Sequence, residues 1–173
     1  MRSPTSAAQR VVVRAAVVRG TDVESLSFPG GSVMQLLAEG ARTCSALTVH
    51  RSLLLAGADG AGAHHHESST ELIYVISGSL RLLVDDQIVS AEAGDLAVIP
   101  PGTTHAFEAG DGGADLIDIV TPGIERFDMF RDVAEAANAG RRPQTSLDEQ
   151  TRYDTYGDES PEWDAFRRNA RTS

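Results

Sequence analysis

The sequence predicts an all-β barrel or sandwich followed by a helical C-terminal extension. Between positions 11 and 122, short apolar runs recur at roughly ten-residue intervals, with Gly- or Pro-containing segments between them. The chain has 173 residues, of which 41% are hydrophobic and 23% charged, so it can bury a core and has an ordinary globular composition. After position 123, the spacing of apolar residues changes to that of a helix.

The predicted strands are the apolar runs of the first zone, and the first ten residues, which are polar, are expected to form a disordered tail. The barrel is therefore predicted over 11–122. Turns are expected in the small-residue segment 57–63 and at Ser77-Gly78. The runs cover 11–18, 33–38, 46–56, 72–76, 80–84, 87–90, 96–99, 105–108 and 116–120.

The extension is predicted over 123–173. Phe127, Phe130 and Ala134 recur at helical spacing, which predicts a helix over 124–138 that ends at Gly140. A second short helix near 162–170 also fits the pattern.

Composition excludes several classes of chemistry. All 15 basic residues are Arg, so a Schiff-base lysine or a P-loop lysine is excluded. The single cysteine, Cys44, excludes an internal disulfide and a four-cysteine zinc site, and we expect it to be a small buried hydrophobe. The net charge of −10 predicts that the protein binds neither nucleic acid nor an anionic membrane surface.

No targeting segment is predicted. Arg14 interrupts the N-terminal apolar stretch, and no run approaches the roughly 18 apolar residues of a membrane helix. We therefore expect a cytoplasmic protein without a membrane span.

Histidines form the most informative pattern. His64, His65 and His66 are consecutive, and alternation along a strand would point His64 and His66 to one face and His65 to the other. Glu71 follows, and His105 opens a later strand. Three imidazoles and a carboxylate on one inner face would suit a divalent first-row metal with open positions, although the His run alone fits a solvated loop equally well.

These residues fall into two motifs that resemble those of the cupin superfamily over about residues 46–122. The first motif is His-x-His, four residues, Glu, six residues and Gly; the second is Gly, five residues, Pro-x-Gly, two residues and His. The matching positions are His64, His66, Glu71, Gly78, Gly94, Pro100, Gly102 and His105. The sequence departs from the pattern at Ala58, where the family has glycine, and at Ala109, where it has asparagine.

The resemblance implies a jelly-roll barrel, the double-stranded β-helix, in which His64, His66, Glu71 and His105 bind a divalent transition metal. Neither departing position is a ligand in the family. The residue types do not distinguish Fe, Ni, Mn, Co and Zn. The alternative to a catalytic metal is a structural metal that only stabilises the barrel.

Strand alternation also predicts which residues line a pocket. Ile73, Val75 and Phe107 share the parity of the predicted ligands, so we expect them to line an apolar pocket beside the metal. His50 is a candidate pocket acid or base, although a structural strand histidine is the favoured interpretation at that position.

The resemblance is strongest to small bacterial quercetinase-like dioxygenases, which continue into a helical extension after a Thr-Pro-Gly segment like Thr121-Pro122-Gly123. It implies a dioxygenase acting on an aromatic, enolic or polyketide-like small molecule. Glu71 would be the catalytic base, a role that a raised pKa would favour. The alternatives are a polyketide cyclase or isomerase that uses no O₂, and a non-catalytic small-molecule-binding cupin.

A homodimer is expected. Residues Leu72, Tyr74 and Ile76 form an apolar row that faces away from the metal, and Leu53-Leu54-Leu55 makes a second strand apolar on both faces. We expect the helix with Phe127 and Phe130 to cover one outer face, and a second copy of the chain to cover the other.

Overall fold

The computed structural model describes residues 15–143 and 145–170, and its strands all pair antiparallel, which confirms the all-β prediction. The strands are β1 (Glu24–Ser27), β2 (Val33–Ala38), β3 (Thr48–Leu54), β4 (Asp59–His65), β5 (Thr70–Val84), β6 (Gln87–Glu92), β7 (Leu96–Ile99), β8 (His105–Thr121) and β9 (Tyr156–Gly157). The helices are α1 (Gly40–Thr43), α2 (Phe127–Asn138), α3 (Leu147–Tyr153) and α4 (Pro161–Ala170), and a short 3₁₀ turn covers Pro29–Gly31.

Two long strands join the halves of the barrel. The first half of β5 pairs with β7 and with the second half of β8, which also pairs with β3. The second half of β5 pairs with β6 and with the first half of β8, which also pairs with β4. Because β5 and β8 change partners midway, they pass from one sheet layer to the other and close the jelly roll.

The change of layer occurs at Gly78. The predicted break at Ser77-Gly78 is a bend within one strand, since the pairing of β5 with β8 shifts on both sides of this position. Gly78 has a φ of +76°, and a side-chain Cβ there would lie 2.1 Å from the carbonyl oxygen of Gly113. Only glycine permits this conformation and this close approach of the two backbones.

The barrel interior is apolar beyond the polar cluster described below. Its buried core consists of inward residues from β5 to β8: Ile73, Val75, Leu80, Leu82, Ala91, Ile99, Phe107, Ala109, Ala114 and Leu116. On the outside of the layer that contains β4 and β6, Trp163 of α4 packs against Leu83 and Ala106, with Phe166 beside them. The extension therefore buries one outer face of the barrel.

Three predicted features differ from the structure. The run 11–18 lies partly outside the described residues, and 15–18 are not in a strand; the first strand in the described part of the chain is β1. The expected turn at 57–63 is largely strand β4, because this segment pairs with β8. Its glycine at position 60 leaves room for the ring of Phe107, since a Cβ there would lie 2.0 Å from that ring. Cys44 is exposed rather than buried, since it ends α1 at the surface in a left-handed conformation with a φ of 53°.

The helices of the extension only partly follow the prediction. Helix α2 begins at Phe127, three residues later than the predicted start, and α4 matches the predicted second helix. Helix α3 was not predicted, although Ser146 and Glu149 form a capping box at its start. The predicted tail over the first ten residues lies outside the described residues.

Candidate metal centre

Three strand ends bring the four predicted ligands together. His64 lies at the end of β4 and His66 directly follows that strand, Glu71 lies near the start of β5, and His105 is the first residue of β8, where it pairs with His64. One ligand atom from each of the four residues lies within 4.8 Å of those of the other three. Residues separated by up to 41 positions therefore form one compact cluster.

Each imidazole is held by its Nδ1 atom. Nδ1 of His64 lies 2.8 Å from the carbonyl oxygen of Gly62, and Nδ1 of His105 lies 2.9 Å from that of Thr103. Nδ1 of His66 contacts the carbonyl oxygen of Asp154. Since a carbonyl can only accept, each Nδ1 carries the hydrogen, and each Nε2 is left as the atom that can bind a metal.

Glu71 joins the histidines at the centre of the cluster. Its Oε2 atom lies 2.6 Å from Nε2 of His66 and 3.1 Å from Nε2 of His105. Burial raises the pKa of Glu71, but the contacts with His105 and His66 outweigh it and hold this pKa well below its usual value. The carboxylate is therefore ionised, in contrast to the raised pKa that would favour a base role.

The histidines differ in charge preference. Burial, together with the neighbouring His105, lowers the pKa of His64 to about 3, so its imidazole is neutral at physiological pH. Burial also disfavours the charged form of His105, but the hydrogen bond to Glu71 prevails and raises its pKa. A divalent cation at this position would take the place of that proton opposite Glu71.

The donor set fits a divalent transition metal. Three Nε2 atoms and one carboxylate oxygen are the ligands that Fe, Mn, Co, Ni and Zn accept. The three carbonyl acceptors fix the tautomer of each imidazole, as outer partners do in metal sites. His64, His66, Glu71 and His105 would hold the ion.

Asp154 connects the C-terminal extension to this cluster. It ends helix α3 in a left-handed conformation, and besides its carbonyl contact with His66, its carboxylate accepts hydrogen bonds from the backbone N–H groups of Glu67 at 2.9 Å and Ser68 at 3.2 Å. Strand β9 then pairs with the end of β4. The extension thus positions the loop that carries His66.

A cavity of about 340 Å³ borders the cluster and reaches under helix α2. His64, His66 and Glu71 lie in its wall, whereas His105 lies behind them. Its apolar lining includes Met34, Leu54, Phe107, Met129, Phe130 and Val133. A larger cleft of about 610 Å³ lies between α2 and residues 141–149, and none of the four ligands lines it.

The predicted pocket residues divide into two groups. Phe107 and His50 line the cavity, and the ring of His50 lies 4.7 Å from that of Phe130. Ile73 and Val75 are buried in the core and do not line the cavity, so the structure gives them a packing position instead. The cavity wall is provided in their place by α2, which was predicted to cover an outer face.

Two buried polar residues beside the cluster were missed. Asp118 faces His50, with 3.7 Å between its Oδ2 and Nε2 of the histidine, and Arg126 precedes α2. Asp118 interrupts the apolar run 116–120 at an inward position, which was a usable signal. Burial lowers the pKa of His50 to about 4, and burial and Glu71 raise that of Asp118.

His65 faces away from the cluster, as strand alternation predicts. Its Nδ1 lies 2.9 Å from Oδ2 of Asp158, its ring stacks on Tyr156 at 5.3 Å, and Thr104 donates to the same carboxylate at 2.8 Å. His65 therefore attaches the extension to β4 from the outside.

We expect His65→Ala to leave the metal content unchanged and to lower the melting temperature by roughly 2–4 °C, as for a lost interaction of about 1 kcal/mol. Elemental analysis and thermal unfolding of the variant and wild type measure the two effects. A loss of metal as large as that in His64→Ala would contradict the strand register.

Comparison with known proteins agrees with this geometry. Residues 51–120 match the Cupin domain family (Cupin_2). That stretch includes all four candidate ligands. Residues 51–120 are therefore a cupin domain. The sequence-based resemblance to the cupin superfamily is thereby confirmed.

Solved structures with a similar fold superpose on about two thirds of the chain. An RmlC-like cupin from Shewanella frigidimarina has a TM-score of 0.55 and 26% identity, covering 66% of this chain and 96% of that one. KdgF from Halomonas sp. has a TM-score of 0.58 and 18% identity, covering 66% and 99%. The Streptomyces nucleoside dehydratase Pac13 has a TM-score of 0.53 and 18% identity, covering 66% and 88%.

One curated relative matches a short segment. The uncharacterized HTH-type transcriptional regulator YdiP of Escherichia coli K12 is 44% identical over 45 residues, which are 26% of this chain. The match spans only 15% of that protein. In the described part of the chain, no helix is both long and apolar enough to cross a membrane.

Proposed function

We propose that this cupin is a metal-dependent enzyme that acts on an aromatic or enolic small molecule, and that its reaction is a dioxygenation. The observation that carries the proposal is the cluster of three Nε2 atoms and one carboxylate beside a largely apolar cavity, whose wall includes His64, His66 and Glu71. One solved structure with a similar fold, Pac13, is an enzyme, a nucleoside dehydratase.

The chain's own residues would bind and deprotonate the substrate. A bound divalent ion would supply Lewis-acid stabilisation of a developing enolate and, if redox-active, electron exchange with O₂. Phe107 and Phe130 offer apolar surface to an aromatic ring. Glu71 is ionised, so its carboxylate can accept the proton of a substrate hydroxyl. Because its pKa is low, this transfer requires an acidified hydroxyl.

Oxygen consumption tests the reaction type. The protein is loaded separately with Fe, Mn, Co or Ni and mixed with a flavonol in an oxygen electrode, with the His66→Ala/His105→Ala variant as the control. We expect O₂ uptake in proportion to flavonol loss with at least one metal, and none with the control. Product formed without O₂ uptake would instead indicate a cyclase or isomerase, and binding without turnover a non-catalytic cupin.

We also propose that the protein is a C₂ homodimer. Tyr74, Ile76, Leu96 and Val98 form an exposed apolar patch on one outer face of β5 and β7, with Tyr74 opposite Leu96. Helix α4 covers the outer face of the other layer, so this patch is where a second copy would pack.

Light scattering at micromolar concentration measures the assembly. We expect the mass of two chains for wild type and of one chain for Ile76→Glu/Val98→Glu, because charges in the patch would be buried unpaired in the dimer. A wild-type mass of one chain without aggregation would contradict the dimer.

A further inference from the structure

Arg126 is a buried cation that the metal cluster does not use. Its side chain is almost completely buried and lines the same cavity as Glu71. Its Nη2 donates to the carbonyl oxygen of Tyr153 at 3.0 Å, whereas its Nε has no hydrogen-bond partner within the described residues. Because a guanidinium has five N–H donors and is costly to bury unpaired, this side chain is incompletely satisfied.

The nearby carboxylates do not complete its pairing. Glu71, Asp118 and Asp154 all act on Arg126 electrostatically, but none of them forms an ion pair with it in the described part of the chain. Glu71 is engaged by His66 and His105, and Asp154 by backbone N–H groups. Oδ1 of Asp118 also lacks a hydrogen-bond partner. Two unsatisfied polar groups thus border one cavity.

A divalent ion would increase this imbalance. Glu71 would then share its charge with the ion and would compensate the charge of Arg126 less, which leaves Asp118 and Asp154 as the other nearby carboxylates. With both cations present, the cavity favours a negatively charged ligand. The remaining lining is mainly apolar, so the ligand would carry its charge on an apolar body.

We propose that Arg126 is the anion-binding residue of this cavity and that it recognises an oxyanion, a carboxylate or an enolate, attached to an aromatic or aliphatic body. This inference deepens the proposed function, on which it rests, by naming a substrate feature. Arg126 directly precedes α2, so the extension contributes directly to ligand recognition. It also positions the loop that carries His66. Guanidinium groups suit this task because their planar N–H fork matches two oxygens.

Matched probes test the proposal by calorimetry. The probes are 1-naphthoate and its uncharged analogue 1-naphthamide, each titrated into zinc-loaded and metal-free protein. We expect wild type to prefer the carboxylate, and Arg126→Met to bind it roughly 10- to 100-fold more weakly, the range for a charge-assisted hydrogen bond. Binding of naphthamide should change little. Arg126→Lys should restore part of the preference.

Arg131→Met is the matched control. Arg131 lies on α2, which Arg126 directly precedes, but it pairs with Glu24 and Asp128 outside the cavity, so its loss changes the net charge equally without touching the cavity. Unchanged naphthoate affinity in Arg126→Met, an equal loss in Arg131→Met, or no binding by wild type at millimolar concentration would each overturn the proposal.

Metal content, measured in the same samples, separates this proposal from the proposed function. If the protein takes up no metal but Arg126→Met still removes the preference for the carboxylate, the anion site is supported and the proposed function is wrong. If Arg126→Met instead loses both metal and probe binding while metal-free wild type shows no carboxylate preference, Arg126 only supports Tyr153, and the anion site is wrong.

Discussion

The double variant His66→Ala/His105→Ala is expected to retain less than roughly one tenth of an equivalent of metal, compared with about one for wild type. Both imidazoles are buried, and each Nε2 lies within hydrogen-bond distance of Glu71. Removing them leaves His64 and one carboxylate, which is too few ligands for a stable site. Elemental analysis after dialysis against the free metal measures the loss.

Folding of this variant needs its own control. Loss of both histidines leaves the buried carboxylate of Glu71 without its two partners. An unpaired buried charge lowers the free energy of unfolding by several kcal/mol. The triple variant that adds Glu71→Gln removes that charge and should fold better while also lacking metal. A full equivalent of metal in either folded variant would show that the cluster is not the metal site.

The second large effect is expected from Glu71→Gln. The amide keeps an oxygen that can bind a metal but cannot accept a substrate proton as the carboxylate does, so we expect partial metal retention and a fall in turnover of roughly 10²-fold or more. The rate is expressed per bound metal, which separates loss of the base from loss of the ion. Wild-type turnover per metal in Glu71→Gln would leave Glu71 as a ligand only.

The barrel and the cluster of three histidines and one glutamate were predictable because their signals are local. His64 and His66 share a face through strand alternation, and the Pro100–Gly102 corner precedes His105 directly. The two motifs that resemble those of cupins therefore identified four residues, and in the structure one ligand atom from each lies within 4.8 Å of the others.

The cavity was harder to predict because its wall comes from distant elements. Parity correctly indicated that Ile73 and Val75 are buried, but it cannot tell core packing from a cavity wall. Whether an inward residue packs in the core or lines the cavity depends on where α2 lies against the barrel. Similarly, Asp154 reaches His66 only because α3 returns to β4, a tertiary contact that no nearby sequence pattern encodes.

A crystal structure of the cobalt-loaded protein, with anomalous data collected at the cobalt edge, tests the central claim most directly. The account predicts one strong anomalous peak bonded to Nε2 of His64, His66 and His105 and to a carboxylate oxygen of Glu71, at about 2.0–2.2 Å. A peak bound elsewhere, or no peak at this cluster in protein that carries stoichiometric cobalt, would contradict it.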